Sequence, residues 1–178
     1  MERTKLTMEQ LGRISVAEFK RETKTPIVLV LDNIRSMSNI GSMFRTADAF
    51  RLEGMFLCGI TAVPPHREIN KTALGATQSV DWKYKESTVE CVKLLKEQGY
   101  QVFSLEQTEN SNMLQNFRFN GNKTAIVLGN EVDGVQQEVI DLCDEVIEIP
   151  QFGTKHSFNV SVSCGIVLWE MVRQLKFL

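Results

Sequence analysis

The sequence predicts an α/β domain on a mostly parallel sheet with helices on both faces. Five short apolar runs have strand length, and helical periodicity fills the stretches between them. Two of the runs, Ile27–Leu31 and Ala125–Leu128, are continuously apolar rather than alternating, as suits strands covered on both faces.

In chain order, residues 1–24 read as a short leader with a helical extension, and residues 25–178 as the domain. Ser15-Val16-Ala17-Glu18 has capping-box spacing, and Leu11, Val16 and Phe19 could dock that helix on the core. Thr25-Pro26 stops it before the first strand. The strand runs are 27–31, 55–60, 102–105, 125–128 and 146–149. Ile40, Met43, Phe44, Ala47 and Phe50 recur at helix spacing, as do Val89, Val92, Leu94 and Leu95. A shorter helix is expected from Gln136 to Cys143 and a long one from about Ser161 to Leu175. The last is apolar on more than one face, which predicts burial on one side and a partner subunit on the other.

The chain has 178 residues, the size of one ordinary domain, and is 43% hydrophobic and 24% charged, which argues against disorder. Twenty Lys and Arg against 22 Asp and Glu give a net charge of −2, which excludes a strongly basic nucleic-acid sponge. The acidity is local. Residues 101–149 hold nine acids against Arg118 and Lys123, a net −7, leaving about +5 elsewhere. The remainder can therefore face a polyanion, although mixed charges equally serve to solvate a surface. Four scattered cysteines, with no Cys-x-x-Cys or paired Cys/His spacing, exclude a zinc ribbon and disfavour a disulfide framework. No metal site is expected. The charged N-terminus does not read as a signal peptide and no apolar run has the length of a membrane span, so a soluble cytoplasmic chain is expected.

Neither a Gly-x-Gly-x-x-Gly nor a Gly-x-x-x-x-Gly-Lys-Ser/Thr motif occurs, which disfavours dinucleotide and P-loop enzymes. Three polar clusters stand instead at carboxyl ends of predicted strands, where open α/β sheets bind ligands. The first runs from Asp32 to Thr46 and contains Arg35, Asn39, Gly41 and Arg45. There Asn39 could cap the helix, Gly41 could let a ligand approach its first turn, and Asn39 and Arg45 could face one pocket. The second is Leu128-Gly129-Asn130-Glu131-Val132-Asp133-Gly134-Val135. Gly129 would expose backbone groups and Glu131 could orient a neighbouring Arg or Asn; an ordinary turn at Asp133-Gly134 explains it equally. The third, Ile149 to Ser163, holds Ser157, Phe158, Asn159 and Ser161, with helix capping by Asn159 or Ser161 as its plainer reading.

In this order the clusters, with Asn39-x-Gly41 and Arg45-Thr46, then Leu128-Gly129-Asn130-Glu131, then Ile149-Pro150 and Ser157-Phe158-Asn159-Val160-Ser161-Val162, resemble the three motifs of SpoU/TrmH-type RNA 2′-O-ribose methyltransferases of the SPOUT class. The resemblance covers about residues 26–175. It implies a C-terminal deep trefoil knot that forms a pocket for S-adenosylmethionine, with cofactor contacts at Leu105, Gly129, Ile149, Ser157 and Phe158. It implies a catalytic set of Arg45, Asn39, Glu131, Ser157 and Asn159, with Arg45 central. It also implies a homodimer through the knot region and C-terminal helix, with each site bordered by the other subunit. The substrate would be tRNA or rRNA.

Arg35 is a further candidate for RNA contact. The loop Pro64–Thr72 would present Arg67 and Lys71 to RNA phosphate, or merely solvate the surface. Two other readings stay open: a SPOUT methyltransferase acting on an RNA base, and a non-catalytic RNA-binding or assembly protein of the same fold.

Overall fold

The run Thr25–Asp32 forms strand β1 at the centre of the sheet, and its burial is nearly continuous. The computed structural model describes residues 3–7 and 9–176. Residues 1, 2, 8, 177 and 178, which fall within the expected leader and the end of the expected domain, lie outside the described residues. The other strands are β2 (Leu52–Cys58), β3 (Trp82–Lys85), β4 (Gln101–Leu105), β5 (Asn112–Met113), β6 (Thr124–Leu128) and β7 (Glu145–Glu148). Their order is β3-β2-β1-β6-β4-β7-β5, and every pair is parallel. The carboxyl ends of β1, β6, β4 and β7 therefore lie side by side.

Both faces of the central strands are covered, which explains their unbroken hydrophobicity. Ile27, Leu29 and Leu31 pack with Ile40, Met43, Phe44 and Ala47 of α2 (Met37–Ala49), and with Cys164, Val167, Leu168 and Met171 of α7 (Val160–Lys176). Val28 and Val30 face the other way, towards Cys91, Val92 and Leu95 of α5 (Thr88–Glu97) and Val139 of α6 (Gln137–Ile140). Side chains alternate across a strand, so a single apolar run feeds two cores.

Several expectations need correcting. Strand β3 was missed because Trp82-Lys83-Tyr84-Lys85 places charge in an edge strand, and β5 because two residues carry no pattern. Strand β2 ends at Cys58, with Gly59 and Ile60 in a turn. Helix α6 ends at Ile140 rather than Cys143. In the helix Val16–Arg21 (α1) Ser15 and Glu18 complete the capping box, but only Phe19 docks; Leu11 and Val16 stay exposed. The stretch Pro64–Thr72 is largely helix α3 (Arg67–Ala73), N-capped by His66, and a further turn of helix, α4 (Ala76–Ser79), follows. Helix α7 buries one side and leaves Val162 and Trp169 about half exposed.

Gly41 also serves a different purpose from the one expected. A Cβ there would overlap Thr72 Oγ1 and the Ile69 carbonyl oxygen, so the glycine lets α3 lie directly on α2. Thr72 Oγ1 completes the contact by donating to the Ser38 carbonyl at 2.9 Å. Gly41→Ala is therefore expected to destabilise the fold by about 1–3 kcal/mol in urea unfolding, as overpacking does; an unchanged midpoint would contradict this packing role.

Candidate functional site

A cleft of about 740 Å³ opens at the carboxyl ends of β4, β6 and β7. Its walls come from Leu105 at the end of β4 and Glu106 after it, the loop 129–135 after β6, Ile147 and Glu148 of β7 with Ile149 after it, and residues 156–160 leading into the start of α7. Loop 129–135 closes on itself. Asn130 and Gly134 exchange backbone hydrogen bonds at 2.9 Å each, and Asn130 Oδ1 accepts from Val132 N at 2.8 Å and Asp133 N at 3.2 Å. Gly134 adopts φ of 70°, a conformation that favours glycine.

The second and third polar clusters line this cleft, and the first joins them through hydrogen bonds. Glu131 Oε2 accepts from Arg35 N at 2.9 Å, while its Oε1 accepts from Ser36 N at 3.0 Å and from Asn39 Nδ2 at 3.0 Å. Asn39 Oδ1 in turn accepts from Asn159 Nδ2 at 3.1 Å. Asn159 Oδ1 accepts from Ser161 N at 2.9 Å and Ser161 Oγ at 2.7 Å, capping α7. Residues 92 and 120 positions apart are thus joined through Asn39. Partial burial alone would raise the Glu131 carboxyl; the N–H groups of Arg35 and Ser36 and the Asn39 amide outweigh it and hold it below the ordinary carboxylate range.

Leu105, Gly129, Ile149, Ser157 and Phe158 all line the cleft, as do Glu131 and Asn159. Asn39 is not the cap of α2. Ser36 takes that role, accepting from Asn39 N at 3.3 Å, which frees the Asn39 side chain to bridge Glu131 and Asn159. Gly129 does more than expose backbone: a Cβ there would overlap the Gly134 carbonyl group and Val135 N.

Arg45 and Asn39 do not line a common pocket. Six residues along a helix turn through about 600°, leaving the two side chains about 120° apart around α2. Arg45 lies exposed in a separate shallow depression with Ser42, Thr46, Lys71, Thr72 and Gly165. Lys71 pairs with Glu68 at 2.7 Å, and Arg35 and Arg67 are exposed outside both hollows. Among the described residues no group of three or more His, Cys, Asp or Glu is placed to hold a metal ion, and no helix is long and apolar enough to cross a membrane.

Sequence reasoning missed Glu106 and Asn130. Glu106 Oε2 accepts from Val135 N at 3.0 Å, fixing the far side of the loop. Asn130 Nδ2 donates to the Asn33 carbonyl at 2.8 Å. The strand-end position of Glu106 is the only signal that pointed to it; Asn130 stood within the quoted motif without a role.

The Glu131 network carries a pH signature. An unfolded glutamate titrates near about 4.3, and the folded group lies below its ordinary value. Its carboxylate therefore adds stability above that pH, and the contribution is lost as pH falls through the folded value. Glu131→Gln is expected to melt at a lower temperature than wild type at pH 7, with the gap narrowing below about pH 4. A gap independent of pH would contradict the charged network.

Residues 26–169 match the SpoU rRNA Methylase family. The chain is 31% identical over 166 residues to the 23S rRNA (guanosine-2'-O-)-methyltransferase RlmB of Vibrio parahaemolyticus, covering 93% of this chain and 66% of that protein. It is 32% identical over 153 residues to the enzyme of the same name from Neisseria meningitidis, covering 85% and 60%. The chain thus spans less than two thirds of the length of these relatives. Its fold matches the TrmH/SpoU tRNA modifying enzyme of A. aeolicus with a TM-score of 0.79 at 23% identity, covering 89% of this chain and 81% of that one. It also matches the AdoMet-bound rRNA methyltransferase of Sinorhizobium meliloti with a TM-score of 0.80 at 23% identity, covering 90% and 61%. With the sequence match spanning most of the chain and residues of the second and third motifs gathered at one cleft, the protein belongs to the SpoU rRNA methylase family.

Proposed function

We propose that this protein is an S-adenosylmethionine-dependent methyltransferase acting on a ribose 2′-hydroxyl of tRNA or rRNA. The observation that carries the reading is the junction of Asn39, Glu131 and Asn159 at the mouth of a cleft walled by Leu105, Gly129, Ile149, Ser157 and Phe158. The cleft fits the donor. Its volume of about 740 Å³ lies within the range of small-molecule sites. Leu105, Ile149 and Phe158 offer apolar surface for an adenine, and the backbone around them supplies donors and acceptors for its edge. When bound, S-adenosylmethionine supplies an activated methyl group on a sulfonium sulfur.

The chain's own task is then to position the ribose and take charge of its proton. With the donor bound, the ribose 2′-oxygen would accept its methyl group, and the hydroxyl proton would pass to solvent water at the open mouth of the cleft. Asn39, Ser157 and Asn159 orient the sugar, with Glu131 holding Asn39. Arg45 grips the phosphate beside the target rather than acting as a base, because guanidinium keeps its proton above about pH 12. Arg35, Arg67 and Lys71 extend that phosphate contact.

Within one protomer Arg45 sits in a hollow apart from the cleft. A homodimer in which each site is bordered by the other subunit accounts for that separation, and the exposed Val162 and Trp169 of α7 supply apolar surface for it. In the same reading residues 1–24 are a leader to a domain of residues 25–178, and the segment after β7 closes a deep trefoil knot. The return of Asn159 onto Asn39 supports that path. The four unpaired thiols suit a cytoplasmic location.

Incubation with methyl-labelled S-adenosylmethionine and unmodified tRNA or rRNA, followed by digestion to nucleosides, tests the function. Label is expected in 2′-O-methylnucleosides, and Arg45→Ala is expected to lower the rate by about 100-fold or more. Label in a base would overturn the reading in favour of base methylation. RNA retention without label would favour a non-catalytic binding protein.

A further inference from the structure

The side chain of Asp32, at the carboxyl end of β1, is fully buried and does not line the cleft. A buried carboxylate is expensive unless hydrogen bonds satisfy its oxygens. Here they do, from three separate parts of the chain. Oδ1 accepts from Asn33 Nδ2 at 2.9 Å, from Thr88 Oγ1 at 2.6 Å and from Gln136 Nε2 at 2.6 Å; Oδ2 accepts from Gln136 N at 2.9 Å. Thr88 opens helix α5, and Gln136 is the first residue after the cleft loop.

The neighbouring Asn33 holds the other end. Its carbonyl accepts from Asn130 Nδ2 at 2.8 Å. Between these two anchors the loop is tied to itself through the paired Asn130 and Gly134 backbones. A loop that is rigid inside moves as a unit, so its position is set by its fastenings, the two ends together with Glu131 on the α2 side and Glu106 at Val135 N. That position decides where Gly129 and Glu131 stand in the cleft.

We propose that Asp32 is a positioning residue for cofactor binding: it clamps the end of loop 129–135 through the Gln136 N–H and so sets the width of the S-adenosylmethionine cleft. This rests on the assignment of the cleft to that donor. Substitution by asparagine separates the clamp from general stability. An asparagine at 32 keeps the three donors at Oδ1 by placing its own oxygen there. Its NH₂ group then faces the Gln136 N–H, donor against donor, and the loop anchor is the bond that is lost. Thr88→Val removes a different Oδ1 partner, the one on α5, and leaves the loop anchor intact.

Three readouts on the full chain test the proposal. In Asp32→Asn, amide hydrogen exchange of residues 130–136 without ligand should quicken relative to both wild type and Thr88→Val. The Kd for S-adenosylmethionine should rise by at least about fivefold, as loss of a hydrogen bond to a buried carboxylate implies, while the KM for RNA stays unchanged. Thr88→Val should lower the melting temperature without moving that Kd. Unchanged exchange over 130–136 in folded Asp32→Asn, or an equal rise in Kd in Thr88→Val, would overturn the proposal. The exchange result does not depend on the donor's identity. Quickened exchange in a protein whose wild type binds no S-adenosylmethionine would therefore uphold the clamp and overturn only the cofactor assignment.

Discussion

The acceptor capacity of one carboxylate organises the site. The first turn of a helix leaves backbone N–H groups without partners and carries partial positive charge. Glu131 answers both by accepting from Arg35 N and Ser36 N just ahead of α2 and from the Asn39 side chain in its first turn. The strand β6 loop is thereby fixed to the β1 side of the sheet. Asn39 then passes the connection to Asn159, which caps α7. Without the Glu131 carboxylate the first and second clusters would lose three of the hydrogen bonds that join them.

The distribution of charge follows the same division. The cleft is lined by Glu106, Glu131, Asp133 and Glu148 and by no lysine or arginine, whereas Arg45 and Lys71 sit in the neighbouring hollow. That separation suits a cationic sulfonium donor inside and a polyanionic acceptor outside, each met by the opposite sign. The concentration of negative charge in residues 101–149 is the same feature seen along the sequence, since those residues supply the β4, β6 and β7 ends.

Much of the fold was legible because its signals are local. Continuous apolar runs marked β1 and β6, and helical periodicity marked α2, α5 and α7. The edge strand β3 and the two-residue β5 escaped because an edge position tolerates Lys83 and Lys85 and because two residues show no periodicity. Of the site, the polar clusters at strand ends were readable, and so was their membership of one family of motifs. What each residue touches was not. The cap of α2 fell to Ser36 because Asn39 has two distant partners, Glu131 and Asn159, whose proximity no local rule contains. Gly41 looked like room for a ligand and is room for α3, a fact that depends on where Thr72 and Ile69 arrive. Asp32 stood at the head of the first cluster without a role, because its Gln136 and Thr88 partners lie 104 and 56 positions away.

The most direct test is a crystal structure of the chain grown with S-adenosylmethionine. The donor should lie bent in the cleft, its adenine between Leu105, Ile149 and Phe158 and its methyl group directed towards Asn159. Density for the donor elsewhere on the molecule, or a cleft still vacant at saturating concentration, would contradict the assignment.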